Sequence, residues 1–459
     1  MKMYYNVEDK PKFGQLIVFA IQQLLAIMAA TLVVPVIIGH GMSSAAALFG
    51  AGVGTLVYVL FTAKKSPVFL GSSFAFIGSM FAAFAGGVSM ALGYVGLILG
   101  AVFAGLVYVI IAIIVKFAGV GWINKLMPPV VIGPTVAIIG LSLAGNAIGD
   151  LQKGGVLDAK GNSVANVLLC VLIGIITLIV TMLCSTYGKK TAKLIPFIFG
   201  ILAGYAVALV FTVIGNAADI DALKLIDFGK FTALVAGGVS LETFVSVPDF
   251  TFLTAFGGLK ELNASYVGTI AVAYVPVAFV VFAEHIADHK NISSIIEKDL
   301  LQNPGLHRTL LGDGIGSMVG AFFGGCPNTT YGESVACVAI TRNASVATII
   351  AAALGAIIVS FVNPFVAFVN SIPSCVMGGV CMALYGFIAV SGLKMVQKVD
   401  LNENKNLFVV SAILIAGIGG LSLTFGKITL TAVATSLILG IIVNLILSGK
   451  KEEVSETEE

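Results

Sequence analysis

The sequence predicts an all-α polytopic membrane protein of fourteen transmembrane segments, arranged as two inverted repeats of seven spans. Three observations predict it. Hydrophobic residues fill 58% of the 459 positions and charged residues only 10%, more apolar surface than a soluble domain needs for one core. Apolar runs of about 17 to 25 residues recur from Phe13 to Leu447, each long enough to cross roughly 30 Å of hydrocarbon as a helix. Two short polar interruptions, Gly71 to Phe76 and Pro327 to Glu333, sit at corresponding points of the two halves. Lipid cannot hydrogen-bond a broken backbone, so such breaks persist only where protein or a water-filled cavity satisfies them. Paired breaks in two repeats therefore point to a midplane binding site.

Taken in order, the first repeat (residues 1–214) carries spans at 14–38, 43–62, 68–86, 92–115, 130–149, 164–184 and 194–214. A connecting segment at 215–262, with Asp219, Asp221, Asp227 and Pro248, breaks the apolar pattern and is expected outside the cell. The second repeat (263–449) carries spans at 264–287, 308–325, 327–342, 345–364, 374–392, 407–424 and 428–448. An odd number of spans per half turns the second half over relative to the first. The acidic tail at 450–459 reads as a solvated end. With both termini cytoplasmic, every Lys and Arg falls inside except Lys153, Lys160, Lys224, Lys230, Lys260 and Lys427, as the positive-inside tendency requires. The opening apolar run lacks a separate n-region and cleavage site, and reads as a retained helix.

Several function classes are disfavoured. The formal charge of +2 is spread over many short loops, which leaves no basic groove for nucleic acid. The six cysteines lie in or beside spans without zinc-ligand spacing and read as buried thiols. There is no phosphate loop, dinucleotide fingerprint or nucleophile and base pair, so no cofactor, metal or enzymatic step is expected. A membrane enzyme would have to place a metal on His285, Asp288 and His289. A channel would use the polar breaks as a filter.

The acidic residues within spans carry the strongest functional signal, because a carboxylate is costly there: Glu284, Asp288, Asp313 and Glu333. Glu284 and Asp288 are four apart, on one helical face. Like charges that close in a poorly solvated site cannot comfortably both ionise, so the pair is expected to hold a proton. The plainer reading of Asp288 is a solvated carboxylate at the interface beside His289 and Lys290. Glu333 follows Gly332 at the start of a half-helix, after an extended Pro-Asn-Thr-Thr-Tyr run. It sits where free backbone N–H groups and the helix dipole favour an acceptor. Ser72 and Ser73 are placed either to cap the matching half-helix near Phe74 or to touch a ligand. Phe74, Tyr331 and Tyr385 are candidates to stack on a flat ring. Asp313 is either a proton relay or a helix-bending polar contact.

These residues resemble the nucleobase-ascorbate transporters (nucleobase:cation symporter-2), most closely the uracil:proton symporter branch. The resemblance rests on Leu70 to Phe76, Glu284-His285-Ile286, Lys298 to Leu301 with Asn303 to Arg308, Pro327 to Glu333, and Gly378-Gly379 through Tyr385-Gly386. It implies short strands before the half-helices of spans 3 and 10. It also implies a core domain (14–115 plus 264–342) and a gate domain (130–214 plus 345–448). By resemblance, Glu284 and Glu333 hold the ring, backbone amides near Phe74 and Gly332, with Ser73 and Ala75 beside them, meet its carbonyls, and Tyr385 lines the gate side; Phe74 and Tyr331 are expected to flank the ring. Asp288 and Gln23 stand where the known uracil carriers have histidines, and Asp288 is similar to purine-carrying branches. Proton coupling is accordingly expected among Glu284, Asp288, Glu333, Asp313 and Gln23.

The expected function is uracil import driven by protons across the plasma membrane, by movement of core against gate. A xanthine, urate or other purine nucleobase symporter is the alternative. Partners are the small-molecule substrate, membrane lipid and a second copy bound through gate helices. Uracil suits the residues chemically, since one small plane presents two N–H donors and two carbonyl acceptors.

Overall fold

The computed structural model describes residues 3–119, 122, 128–158, 160–189, 191–425 and 428–448. The acidic tail expected at 450–459 lies outside the described residues.

The chain is dominated by helices, several of which begin at a capping side chain or a proline. Helix α1 spans Phe13–Ile38 and α2 spans Ser44–Phe61, where Ser43 Oγ accepts the Ala46 amide as an N-cap. Strand β1 (Leu70–Ser72) leads through a 3₁₀ turn, Phe74–Phe76, into the short α3 (Ile77–Ala83). Helix α4 (Met90–Ala118) starts at an N-cap on Ser89, and α5 (Pro129–Ser142) starts on a proline, which has no N–H to leave unpaired. Then follow α6 (Ala144–Leu151), α7 (Val167–Tyr187) capped by Asn166, and α8 (Pro196–Ala218).

In the second half a strand again leads into a short helix. After α9 (Thr251–Gly258) comes α10 (Ala264–Ile296), capped by Asn263, then α11 (Leu306–Gly324). Gly325, at φ +74°, closes α11 with its amide on Ala321 O, and strand β2 (Asn328–Thr330) runs into α12 (Gly332–Thr341). Helices α13 (Val346–Ser360), α14 (Asn363–Ser371), α15 (Ser374–Val396) and α16 (Asn404–Ile418) precede a hairpin of β3 (Leu423–Phe425) and β4 (Ile428–Leu430). The last described element is α17 (Ala432–Ser448).

Among the described residues, eight helical stretches are long and apolar enough to cross a membrane: Phe13–Ile38, Ser44–Phe61, Met90–Ala118, Pro129–Leu151 (α5 and α6 taken together), Val167–Tyr187, Pro196–Ala218, Ala264–Ile296 and Ser374–Val396. The expected spans at 68–86 and 327–342 are each a strand followed by a short helix. Those at 345–364, 407–424 and 428–448 hold helices of 15, 15 and 17 residues. Helix α10 runs past its expected end at 287 to Ile296, because Asp288 and His289 find buried polar partners and need not leave the helix for water. The segment at 215–262, which breaks the apolar pattern, contains α9 and several single helical turns.

Helices α1, α2, α4 and α10 to α13 pack largely on one another, and α5 to α8 with α15 to α17 do likewise. The crossing of α2 and α11 is close enough to need glycine on both sides. A Cβ at Gly50 would lie 2.3 Å from Gly320 O, and one at Gly320 would lie 2.0 Å from the Asn328 amide. The chain start is strapped down by backbone bonds. Tyr4 donates its amide to Arg342 O, and Ala344 and Val346 donate theirs to Tyr5 O and Val7 O.

Candidate binding site

Strands β1 and β2 pair antiparallel, Leu70 with Thr330, Gly71 with Thr329 and Ser72 with Asn328. Their pairing satisfies backbone that lipid could not, and it brings the two helix starts that follow them into one place. Further bonds set the register: Ser73 N donates to Pro327 O (2.9 Å) and Tyr331 Oη donates to Ser72 O (2.6 Å). Only glycine fits opposite that tyrosine, since a Cβ at Gly71 would lie 2.4 Å from its ring.

Beside the strand pair lies a cavity of about 440 Å³. Its polar wall holds Ser73, Phe74, Ala75, Thr329, Thr330, Tyr331, Gly332 and Glu333 from the two breaks, and Glu284 and Asp288 from α10. Its apolar wall comes from α5 (Val136, Ile139), α8 (Phe197, Ile198) and α15 (Leu384, Phe387, Ile388), and it reaches the exposed Lys193 and Ser391. A Cβ on Gly332 would meet nothing within 4 Å, so the start of α12 faces open space. The first turn of a helix leaves its amides without intrahelical acceptors, and both breaks present such a turn here. The cavity therefore offers carboxylate acceptors and amide donors against a greasy wall, the composition of a site for a small ligand with both polar donors and polar acceptors.

Asp288 is not the solvated interfacial carboxylate of the plainer reading. It lines the cavity, and its Oδ2 accepts the Thr330 hydroxyl at 2.8 Å. The capping role open to Ser72 and Ser73 is not made: Ser73 precedes the 3₁₀ turn without a side-chain cap bond and instead lines the cavity.

Three expected site residues stand outside the cavity wall. Tyr385 is buried behind it, edge-on to Phe74 with ring centroids 6.0 Å apart. Gln23 reaches α12 from the far side, where its Nε2 bonds Ser334 Oγ, the same oxygen that accepts the Phe69 amide at 2.9 Å. Asp313 is fully buried in α11 with Oδ2 2.6 Å from His285 Nδ1.

The Asp313 pair has a determinate proton count. Thr309 Oγ1 donates to Leu306 O and so accepts from His285 Nε2, which must carry a proton. His285 Nδ1 and Asp313 Oδ2 then share one more proton, and the pair is neutral whichever atom holds it. His289 continues the chain: its Nδ1 donates to His285 O, and its Nε2 meets Tyr58 Oη at 2.7 Å, itself bonded to Ser66 Oγ. Both histidines are thus committed to partners behind the cavity. Ser334 and Thr330 were not singled out from the sequence, although the run of hydroxyls after Pro327 signalled them. The aliphatic wall was invisible, because one more Ile or Leu in an apolar span carries no local mark.

Comparison with known proteins places this geometry in a lineage. A model described as the permease family matches residues 14–426. The chain is 38% identical over 455 residues to the uracil permease of Bacillus caldolyticus, covering 98% of this chain and 96% of that protein. It is 36% identical over 463 residues to the uracil permease of Bacillus subtilis (100% and 98%), and 35% identical over 443 residues to that of Escherichia coli K12 (96% and 93%). Among solved structures, the transmembrane domain of the cyanobacterial bicarbonate transporter BicA aligns with a TM-score of 0.63 at 14% identity, over 96% of this chain and all of that one. The murine anion transporter Slc26a9 in its inward-facing state gives 0.62 at 12%, over 96% of this chain and 69% of that one. At such identities these two share the fold alone. The relatives are permeases, not enzymes, and with a family match across most of its length and relatives aligned nearly end to end, this multi-pass membrane protein belongs to the nucleobase:cation symporter-2 (nucleobase-ascorbate) permease family.

Proposed function

We propose that the protein imports uracil together with protons across the plasma membrane, by alternating access of a core domain (14–115 plus 264–342) against a gate domain (130–214 plus 345–448). The observation that carries this reading is the meeting of Glu284 and Glu333 in one cavity with two helix starts. Uracil has two ring N–H groups for the carboxylates and two carbonyls for the amides. Phe74 and Tyr331 flank the ring, and Tyr385 holds Phe74 from the gate side. The names of the relatives support the pyrimidine. A proton taken up among Glu284, Asp288 and Glu333 neutralises the loaded site before it moves; the neutral His285 and Asp313 pair and Gln23 act on that site from behind.

The same reading takes fourteen spans in two inverted repeats, 1–214 and 263–449, with both termini cytoplasmic, 215–262 outside and the tail at 450–459 inside. It takes a homodimer joined through gate helices. The cavity reaches Lys193 and Ser391, on the side proposed to be cytoplasmic, which makes this an inward-facing form. A second reading, a xanthine, urate or other purine nucleobase carrier, is favoured by one observation: Asp288 adds a third carboxylate to the wall.

Purified protein in liposomes, given labelled uracil with and without an inward proton gradient and with unlabelled xanthine as competitor, tests both. Gradient-driven uptake resistant to xanthine is the expected result. Uptake indifferent to the gradient overturns the coupling. Absent uracil uptake, or strong suppression by xanthine, moves the substrate to the purines.

A further inference from the structure

A second cavity, of about 450 Å³, lies between α10 on one side and α5 and the end of α15 on the other. Its floor is apolar, from Ile132, Phe282, Ala283, Ile286 and Met395, and its mouth carries two exposed lysines, Lys290 on α10 and Lys398 just beyond α15. Among the described residues neither lysine makes an ion pair. The carboxylates nearest them along the chain are occupied elsewhere: Asp288 accepts from Thr330 across the first cavity, and Asp400 accepts from the Asn402 amide and side chain. Two cations, one on α10 and one just past α15, thus stand over one greasy chamber without an anion to answer them.

We propose that this cavity binds an anionic phospholipid, its phosphate between Lys290 and Lys398 and part of an acyl chain on the floor between α5 and α10. Charge complementarity selects the occupant. A zwitterionic lipid brings its own cation beside its phosphate and has no net charge to offset the two ammonium groups, while basic pockets between spans on the cytoplasmic face suit anionic headgroups. Ala287 and Met395 line this cavity and the first one alike, so the lipid sits against the back of the substrate site at the seam that must slide. The proposal rests on the membrane orientation given above, but its test needs no substrate.

The full-length protein, delipidated in neutral detergent, is exchanged into mixed micelles of phosphatidylglycerol and phosphatidylcholine in equal amounts, and retained phospholipid is measured by mass spectrometry. The wild type is expected to retain phosphatidylglycerol preferentially. In Lys290→Gln with Lys398→Gln its affinity falls roughly thirtyfold, each lysine near an anionic lipid being worth about a fivefold factor. Lys64→Gln with Lys394→Gln, which removes two cations outside the cavity, leaves retention unchanged. Equal retention of the two lipids by the wild type overturns the proposal, as does undiminished phosphatidylglycerol on the Lys290 and Lys398 variant. Because the altered side chains are exposed, an unchanged melting temperature verifies that the variant is folded. A protein that retains the lipid and transports no uracil would refute the functional reading and leave this site standing.

Discussion

Thr330 Oγ1 donates a hydrogen bond of 2.8 Å to Asp288 Oδ2, and so fastens strand β2 to helix α10 across the wall of the cavity. One residue belongs to the second polar break and the other to the carboxylate pair, so the bond joins the two features that carry function. A hydrogen bond to a charged group contributes roughly 1.5–3 kcal/mol. Thr330→Val keeps the shape and deletes the donor; uracil uptake is expected to fall at least about tenfold in kcat/KM, with Thr330→Ser restoring most of it. Full activity in the valine variant would show that Asp288 needs no such partner.

Glu333 lies in the first turn of α12 and in the cavity wall. Exchanging it for Gln replaces a pure acceptor by a group that also donates towards a ring N–H. Binding of labelled uracil to the purified protein is expected to weaken by about tenfold to a hundredfold, the range set by one lost charge-assisted bond. Glu284→Gln should behave alike. Unchanged affinity in either variant removes that residue from the site.

His285 and Asp313 form a buried neutral pair, so removing one partner strands the other. The cost of breaking such a pair is about 3–5 kcal/mol. Thermal denaturation should show a large drop for Asp313→Ala and for His285→Ala, and a double variant less destabilised than the two single losses added together. Additive losses would mean the two side chains do not support one another.

Gly320 has no room for a methyl group: its Cβ would meet the Asn328 side chain, which donates to Gly50 O at 3.1 Å. Gly320→Ala is expected to prise α2 from α11 and displace β2, lowering the melting temperature by several degrees and reducing uracil affinity with it. Gly78→Ala is the control, since nothing lies within 4 Å of that position. Equal melting temperatures for the two variants would refute the close crossing.

Much was legible in the chain because membrane chemistry is severe. Apolar runs mark helices wherever water is absent, and a polar break such as Pro327 to Glu333 stands out because backbone in lipid must find partners. For the same reason Glu284, Asp288, Glu333 and Ser73 were identifiable, and all of them line the cavity; Ala75, which lines it too, was indicated by the resemblance alone. Asp313 and Gln23 carried the same polar signal but face away from it. A polar residue in a span announces that it has a partner without saying which side of the helix the partner occupies.

The chain by itself determined the class of the protein, its apolar runs and the two places where the backbone breaks, since these follow from local composition and the cost of an unpaired peptide group in hydrocarbon. Only the tertiary structure decided that β1 pairs with β2, that Asp288 turns to Thr330 while Asp313 turns to His285, and that Ile, Phe and Leu side chains from three distant helices close the cavity. Those outcomes depend on which helix faces meet. Between faces of nearly uniform apolarity that choice is made by glycine contacts and shape, and no local pattern records it.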